Sequence, residues 1–198
     1  MTALATPPLT PKSVATRKLL LDLAADMFIE HGYAAISLRD IADAAGLTKG
    51  AIYGHFRSKG QLLVEVIRSE LAQRDSLFDL DEAAQDPDKL FDLFISPGSR
   101  ELRLLQTDAA AAARHDPDVA DGVEEVFAER TRWILDTLSE YADPDTVVFV
   151  INALSSGIGV QEAHGRDVPD VEVWRKTLSA MFEALSRLPS KDPSQGDT

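Results

Sequence analysis

Residues 37–63 read SLRDIADAAGLTKGAIYGHFRSKGQLL, a stretch in which three helix starts fall close together. Ser37, Thr48 and Ser58 each carry a side-chain oxygen that accepts a hydrogen bond from the backbone at a helix start. Gly46 accepts the left-handed backbone that ends a helix. The spacing predicts three short helices joined by tight turns.

Neighbouring residues support each of these starts. Asp40 lies three residues after Ser37, and Gln61 forms a capping box with Ser58 at the same spacing. Apolar pairs flank the first two starts, where a hydrophobic staple packs the incoming chain onto the first helical turn. These pairs are Ile36 with Ile41 and Leu47 with Ile52.

The middle segment, residues 48–56, has one apolar face, because Ile52 and Phe56 stand four residues apart. Gly50 and Gly54 each cost about 1 kcal/mol relative to alanine inside a helix, which is understandable where the backbone approaches another surface closely. A DNA phosphate backbone is such a surface. The pattern is typical of the DNA-reading helix of a helix-turn-helix, and an ordinary surface helix is the alternative interpretation.

Gly32-Tyr33 ends a long first helix predicted at residues 14–30, and the segment closes as Tyr53-x-His55-Phe56-x-x-Lys59-x-x-Leu62. These features, in register with the turn glycine and the cap threonine, resemble the DNA-binding domain of the tetracycline-repressor (TetR) family over about residues 14–65. Gly54 departs from the family pattern, since many relatives carry a larger or aromatic residue there. The operator sequence is therefore left open.

The resemblance implies that the turn and the middle helix face the major groove of DNA and its phosphates, with Ser37 and Lys59 reaching phosphates from helix N-termini. The predicted DNA-binding residues are Ser37, Arg39, Thr48, Lys49, Gly50, Ala51, Tyr53, His55 and Lys59. Three basic residues nearer the start of the chain are either further phosphate contacts or a solvated first turn. They are Lys12, Arg17 and Lys18.

The 198-residue chain contains no cysteine, so the sequence predicts neither disulfides nor thiolate zinc sites. It opens without a basic, apolar signal segment, and no apolar run approaches the roughly eighteen residues that a membrane span needs. The expected location is the cytoplasm, with no membrane partner.

Charge is unevenly distributed along the chain. Residues 1–74 hold nine Lys and Arg against seven Asp and Glu, a balance of +2, and the remaining residues hold 11 against 26, a balance of −15. DNA is a polyanion, so only the N-terminal part of the protein suits it. Binding is therefore expected to depend on fit more than on bulk charge.

Beyond residue 74, Asp-Pro-Asp triplets at 86–88, 116–118 and 143–145 and Val-Pro-Asp at 168–170 mark helix starts. The predicted helices cover residues 14–30, 38–44, 48–56, 59–78, 87–96, 100–114, 117–141, 145–164 and 170–188. The predicted fold is all-α with nine helices, as the resemblance also implies. Its units are a disordered arm (1–13), a helix-turn-helix DNA-binding domain (14–60), an effector-binding and dimerisation domain (61–188) and a disordered tail (189–198).

The last two predicted helices indicate self-association. Residues 145–164 are apolar nearly all round, so packing on one side cannot bury them. The final helix repeats large apolar residues at spacings of three and four: Val171, Trp174, Leu178, Met181, Leu185 and Leu188. Burial wholly within one subunit is the alternative. The resemblance implies a homodimer whose two recognition helices read half-sites about 34 Å apart on a palindromic operator.

The resemblance also implies a pocket for a small-molecule effector, formed mainly by the helices between residues 87 and 141. The residues expected to line it are Phe91, Phe94, Arg103, Gln106, Phe127, Trp133 and Asn152. Large apolar residues at helical spacing are also typical of ordinary core, and polar ones of helix caps or solvent-facing positions. Leu105 and Asp108 share this ambiguity.

Catalysis has little support in the sequence, which contains no HExxH spacing, Gly-rich phosphate loop or nucleophile elbow. His115 beside Asp116 is the nearest approach to an acid–base pair, and Asp116 already serves as a predicted helix cap. Three acidic residues, Glu124, Glu125 and Glu129, are expected to form a solvated face rather than a metal site. We predict no enzyme activity, no cofactor and no metal.

These observations predict a homodimeric, sequence-specific DNA-binding transcriptional regulator, a repressor released by a small-molecule effector. Two other classes stay open. One is a helical ligand-carrying or sequestering protein that does not use its helix-turn-helix. The other is an enzyme that uses the helical cavity through His115 or Asp108.

Overall fold

The computed structural model describes residues 10–77, 98–137, 143–166 and 170–186, and these ranges contain helices and no strand. Eight α-helices lie within them: α1 (Pro11–His31), α2 (Leu38–Ala44), α3 (Lys49–Tyr53), α4 (Lys59–Asp75), α5 (Ser99–Ala113), α6 (Pro117–Thr137), α7 (Pro144–Ala163) and α8 (Val171–Ser186). One turn of 3-10 helix, Tyr33–Ala35, joins α1 to α2. The all-helical prediction is confirmed, and the helix predicted at residues 87–96 lies outside the described ranges.

Helix α1 begins earlier than the sequence predicted. The Thr10 side chain accepts a hydrogen bond from the amide of Ser13 at 3.3 Å, and Pro11 occupies the first helical position, where its fixed backbone angle favours a helix. Residues 11–13 therefore belong to α1 and not to a disordered arm. Residues 1–9 of that predicted arm lie outside the described part of the chain.

The acidic helix starts of the C-terminal half are confirmed wherever the structure describes them. Asp116 Oδ1 accepts from the amide of Asp118 at 3.0 Å, and Asp143 Oδ1 accepts from the amide of Thr146 at 3.3 Å. Asp170 accepts from two amides in the first turn of α8. The remaining triplet, 86–88, lies outside the described residues.

A single hydrophobic core runs from α1 through α2, α3 and α4 into α5 and α6. Helix α4 joins the two halves, because it packs against α1 on one side and against α5 and α6 on the other. The largest fully buried side chains include Leu20, Phe28, Ile41, Ile52, Phe56, Leu63 and Leu105. Helices α1 to α4 thus share one core with α5 and α6. Helices α5 to α8 together are called the body below.

Glycines let two pairs of these helices approach closely, α4 with α6 and α5 with α7. A Cβ atom at Gly122 of α6 would lie 2.8 Å from both methyl groups of Val64 on α4. A Cβ atom at Gly159 of α7 would lie 3.0 Å from the carbonyl oxygen of Arg103 on α5. Such distances are below van der Waals contact, so each helix pair packs backbone to side chain without room for alanine.

Helix α7 is long and apolar enough to cross a membrane by length and composition, alone among the described helices. The expectation that no apolar run approaches that length was therefore wrong. Val147, Val148 and Ile151 of α7 are buried, whereas Phe149 of the same helix is 72% exposed. Near the end of the same helix, Glu162 is held in a buried ion pair with Arg103 of α5.

Candidate nucleic-acid interface

Helix α3 is short and has an inner and an outer side. Ile52 is fully buried, and so is Phe56 just beyond its end. Tyr53 is 47% exposed, and Thr48 and Lys49 are exposed as well. The side that the sequence predicted to face DNA is therefore the outer side, and the two predicted anchor residues lie in the core.

Both ends of α3 are set by local chemistry. The Thr48 side chain accepts from the amide of Ala51 at 3.2 Å, as the capping pattern predicted. The helix ends at Tyr53, three residues earlier than predicted, because the amide of Gly54 bonds to the carbonyls of both Gly50 and Ala51. A Cβ atom at position 54 would lie 3.2 Å from the Ala51 carbonyl, so glycine fits this tightened last turn.

The outer side of α3 combines a cation, an aromatic ring and open backbone. The ammonium of Lys49 lies 5.7 Å from the centre of the Tyr53 ring. Next to them, a Cβ atom at Gly50 would meet only the Thr48 side-chain oxygen, at 4.0 Å. Ala51 and His55, which were also predicted to face DNA, are half-buried.

Helix α2 begins with the predicted cap. The Ser37 side-chain oxygen accepts from the Asp40 amide at 3.2 Å, and the Asp40 carboxylate accepts from the Ser37 amide at 2.8 Å, which completes a capping box. The Ser37 hydroxyl also donates to that carboxylate, at 2.6 Å. These bonds hold the pKa of Asp40 below its ordinary value. Arg39 is exposed, and its guanidinium lies 3.6 Å from the Asp43 carboxylate. Ser37 and Arg39 thus remain on the surface beside α3.

Lys59 has partners within the protein that the sequence did not predict. Its ammonium donates to the carbonyls of Tyr33 and Ile36 at 2.6 and 2.7 Å and lies 4.0 Å from the centre of the Tyr33 ring. Burial lowers the pKa of Lys59 and also raises that of Tyr33 to about 12. Two of the three ammonium donors are satisfied within the protein, so Lys59 ties the α1–α2 connection to the start of α4.

Arg17 is likewise engaged within the protein and does not extend towards solvent. Its guanidinium bonds to Glu65 at 2.7 Å and to the carbonyl of His55 at 3.2 Å, and it stacks 4.5 Å above the centre of the Phe56 ring. Lys18, by contrast, is exposed and pairs with Asp22 one turn further along α1. Arg17 and Lys18 are therefore each paired with a carboxylate of the chain, whereas Lys12 is exposed.

Two carboxylates of the body contact the connections on either side of the helix-turn-helix, and no local pattern in the sequence predicts these contacts. Asp108 Oδ2 on α5 accepts from the amide of Tyr33 at 2.7 Å. Asp118 on α6 accepts from the Ser58 hydroxyl at 2.6 Å and from the Arg57 guanidinium at 3.2 Å. The partners are about 60 to 75 residues apart in sequence, which is why helical periodicity could not find them.

The residues expected to line an effector pocket differ in burial wherever the structure describes them. Arg103 on α5 forms a two-pronged ion pair with Glu162 on α7, at 2.6 and 2.8 Å, and both side chains are buried. Gln106 and Phe127 are half-buried, whereas Asn152 is exposed on α7 and does not face the body interior. Phe91 and Phe94 lie outside the described residues, as does the side chain of Trp133.

Comparison with known families places residues 20–66 within the model for bacterial regulatory proteins of the tetR family. This span includes α2, α3, the buried anchors and the exposed outer side of α3. The match thus covers the residues of the candidate interface described above.

Relatives extend the similarity along the chain. The transcriptional repressor KstR2 of Mycolicibacterium smegmatis is 44% identical over 95 residues, which is 45% of this chain and 45% of that protein, so the chain matches less than half of that relative's length. The "Probable acrEF/envCD operon repressor" of Escherichia coli K12 is 30% identical over 169 residues, 74% of this chain and 76% of that protein. A transcriptional regulator of Saccharomonospora viridis, solved in complex with choline, shares the fold with a TM-score of 0.67 at 21% identity, over 86% of this chain and 96% of that one.

Proposed function

The chain belongs to the tetR family of bacterial regulatory proteins, and from this premise we propose that it is a homodimeric, cytoplasmic transcriptional repressor that binds a palindromic operator and is released by a small molecule. The observation that carries the proposal is α3, whose core side is buried while Thr48, Lys49, Gly50 and Tyr53 lie exposed together. Regulators of this family are generally not enzymes, and we assign no reaction to the chain.

The proposed DNA-binding surface is smaller than the sequence-based set. It keeps Ser37, Arg39, Thr48, Lys49, Gly50 and Tyr53 on the surface, with the half-buried Ala51 and His55 beside them. Lys59 is left out because its ammonium bonds to two backbone carbonyls. The small number of unpaired cations on this surface supports recognition that depends on fit, with a modest non-specific term.

DNA retention tests the proposal directly. The purified chain should retard a duplex fragment from beside its own gene in a gel at physiological salt, and unlabelled copies of the same fragment should compete better than unrelated DNA. Specific sites are typically bound about 10³-fold or more tighter than random DNA. Equal competition by both DNAs would contradict the proposed function and would favour the alternative in which the helix-turn-helix is unused.

The exposed side of α7 supports the homodimer. Phe149 and Val160 lie exposed on a helix whose opposite side is buried, and Val171 and Val173 at the start of α8 are exposed too. Apolar surface of this kind marks an interaction site. A two-fold dimer would cover α7 and α8 and would present two copies of α3 to successive major grooves.

Phe149→Glu should therefore convert the protein from a dimer into a monomer. Each new carboxylate would be buried in the proposed subunit contact, where its desolvation opposes association. Light scattering at micromolar concentration should give the mass of two wild-type chains and of one variant chain. Val14→Glu, which places the same charge at an exposed apolar position of α1, should remain a dimer. A wild-type protein with the mass of one chain would contradict the homodimer.

Release by an effector requires that the ligand bind two states of the dimer with different affinity. In the proposed mechanism the ligand favours a state in which the two α3 helices are no longer spaced for successive grooves. The similar regulator that was solved with choline supports a small-molecule effector for this chain without identifying it. A candidate ligand that leaves the operator dissociation constant unchanged would be excluded as the effector.

A further inference from the structure

We propose that Asp108 and Asp118 are positioning residues that hold the helix-turn-helix at a fixed angle to the body and thereby support operator binding. This inference rests on the proposed function, because it concerns how that same surface is presented to DNA. Neither carboxylate lies on α2 or α3. Each acts through a connection that the DNA-reading unit, residues 36–56, has with the rest of the chain.

The two carboxylates accept hydrogen bonds at opposite ends of the DNA-reading unit. Asp108 on α5 accepts from the Tyr33 amide, just before the unit begins. Asp118 on α6 accepts from Ser58 and Arg57, just after the unit ends. A unit held at one end can still rotate about that point, whereas bonds at both ends fix its orientation. The bonds come from two different helices of the body, so the orientation follows the relative position of α5 and α6.

Lys59 connects the two ends of the DNA-reading unit to each other. Its ammonium bonds to the carbonyls of Tyr33 and Ile36, while its backbone directly follows Ser58. The Tyr33 peptide therefore receives a bond at its carbonyl from the start of α4 and donates one from its amide to α5. The chain of bonds from α5 to α6 passes through both connections without a gap.

The start of α4 lies next to acidic residues at the start of α6. Its own first turn contains no acidic residue, although the amide end of a helix favours negative charge. Asp116 and Asp118 supply that charge from the neighbouring helix. Gly60 makes the approach possible, because a Cβ atom there would lie 2.7 Å from Asp116 Oδ2 and 2.9 Å from a methyl group of Val119.

The direction in which operator affinity changes when an aspartate is removed distinguishes a positioning role from an effect of net charge. Removing an acidic residue makes the protein less negative, and this change alone would strengthen binding to a polyanion. If Asp108 and Asp118 hold the DNA-reading unit in place, their removal must instead weaken binding, since groups displaced from the grooves lose their contacts. The two explanations predict opposite directions for the same substitution.

The test compares Asp108→Ala, Asp118→Ala and the double variant with the control Asp121→Ala, which removes an exposed carboxylate of α6. Operator dissociation constants are measured at one salt concentration for full-length dimers. We expect each single variant to bind about 5-fold more weakly and the double variant at least 25-fold more weakly, with the control unchanged or slightly tighter. Asp118→Asn, which keeps an acceptor for the Ser58 hydroxyl, should recover part of the loss.

Hydrogen exchange provides a readout that does not depend on DNA. The Tyr33 amide should exchange faster in Asp108→Ala than in wild type, while amides in the centre of α4 keep their protection. Wild-type protein that binds its operator, together with variants of equal affinity and equal Tyr33 exchange, would overturn the inference and leave the proposed function standing. Wild-type protein that binds no DNA specifically would overturn the proposed function and the inference together.

Discussion

Replacing Lys49 and Tyr53 together by alanine should raise the operator dissociation constant at least 100-fold while the dimer stays intact. The two side chains lie next to each other on the outer side of α3 and have no role in the core. Contacts to a base edge or a phosphate are worth about 1–3 kcal/mol each, so each single variant should lose about 5- to 150-fold. Lys49→Ala should also reduce the salt dependence of binding by about one counterion.

The matched control for this prediction is Arg132→Ala. That arginine is exposed on α6, so its loss changes the net charge equally while lying outside both the proposed DNA-binding surface and the proposed dimer helices α7 and α8. Operator affinity should then stay within twofold of wild type. A double variant that binds as tightly as wild type, with the same competition by unrelated DNA, would show that α3 does not read the operator.

Arg103→Ala should lower the free energy of unfolding by about 3–5 kcal/mol. The substitution leaves the Glu162 carboxylate buried between α5 and α7, where its side chain is only 2% exposed, and removes the two-pronged partner that offsets its desolvation. Chemical unfolding at a fixed protein concentration measures the change, because association contributes to the stability of a dimer.

An exposed ion pair supplies the comparison. Lys18→Ala breaks a pair with Asp22 in which the two side chains are 70% and 46% exposed, and such pairs are worth about 1 kcal/mol at most. Arg103→Ala and Lys18→Ala each remove one positive charge. The difference between their losses of unfolding free energy therefore reports how deeply each ion pair is buried. A loss of less than about 1 kcal/mol for Arg103→Ala would contradict the assignment of this pair as the main polar link between α5 and α7.

The local parts of the fold could be predicted because their determinants are neighbours in sequence. The Ser37–Asp40 box, the left-handed Gly46 and the Thr48 cap each need only three or four consecutive residues, and all three occur as expected. The burial of Ile52 and Phe56 followed from their spacing of four. The bounds of α2 agree with the prediction for the same reason.

The contacts that the sequence could not predict join groups that are distant in sequence. The position of Lys59 in its motif predicts a phosphate contact, whereas its carbonyl acceptors in the preceding connection are brought near only by the folded chain. Asp118 was correctly placed at a helix start, yet its bonds to Ser58 and Arg57 span about sixty residues. Arg103 was considered for ligand contact, and its partner Glu162 lies 59 residues away.

The brevity of α3 limits how much DNA one subunit can inspect. Five helical residues extend about 7.5 Å, which corresponds to roughly two base-pair steps. So short a half-site recurs by chance throughout any bacterial chromosome, and one copy of it cannot direct the protein to a single promoter. The spacing between the two half-sites then becomes part of the recognised sequence. Inserting one base pair at the centre of the operator should therefore weaken binding as much as changing a base within either half-site.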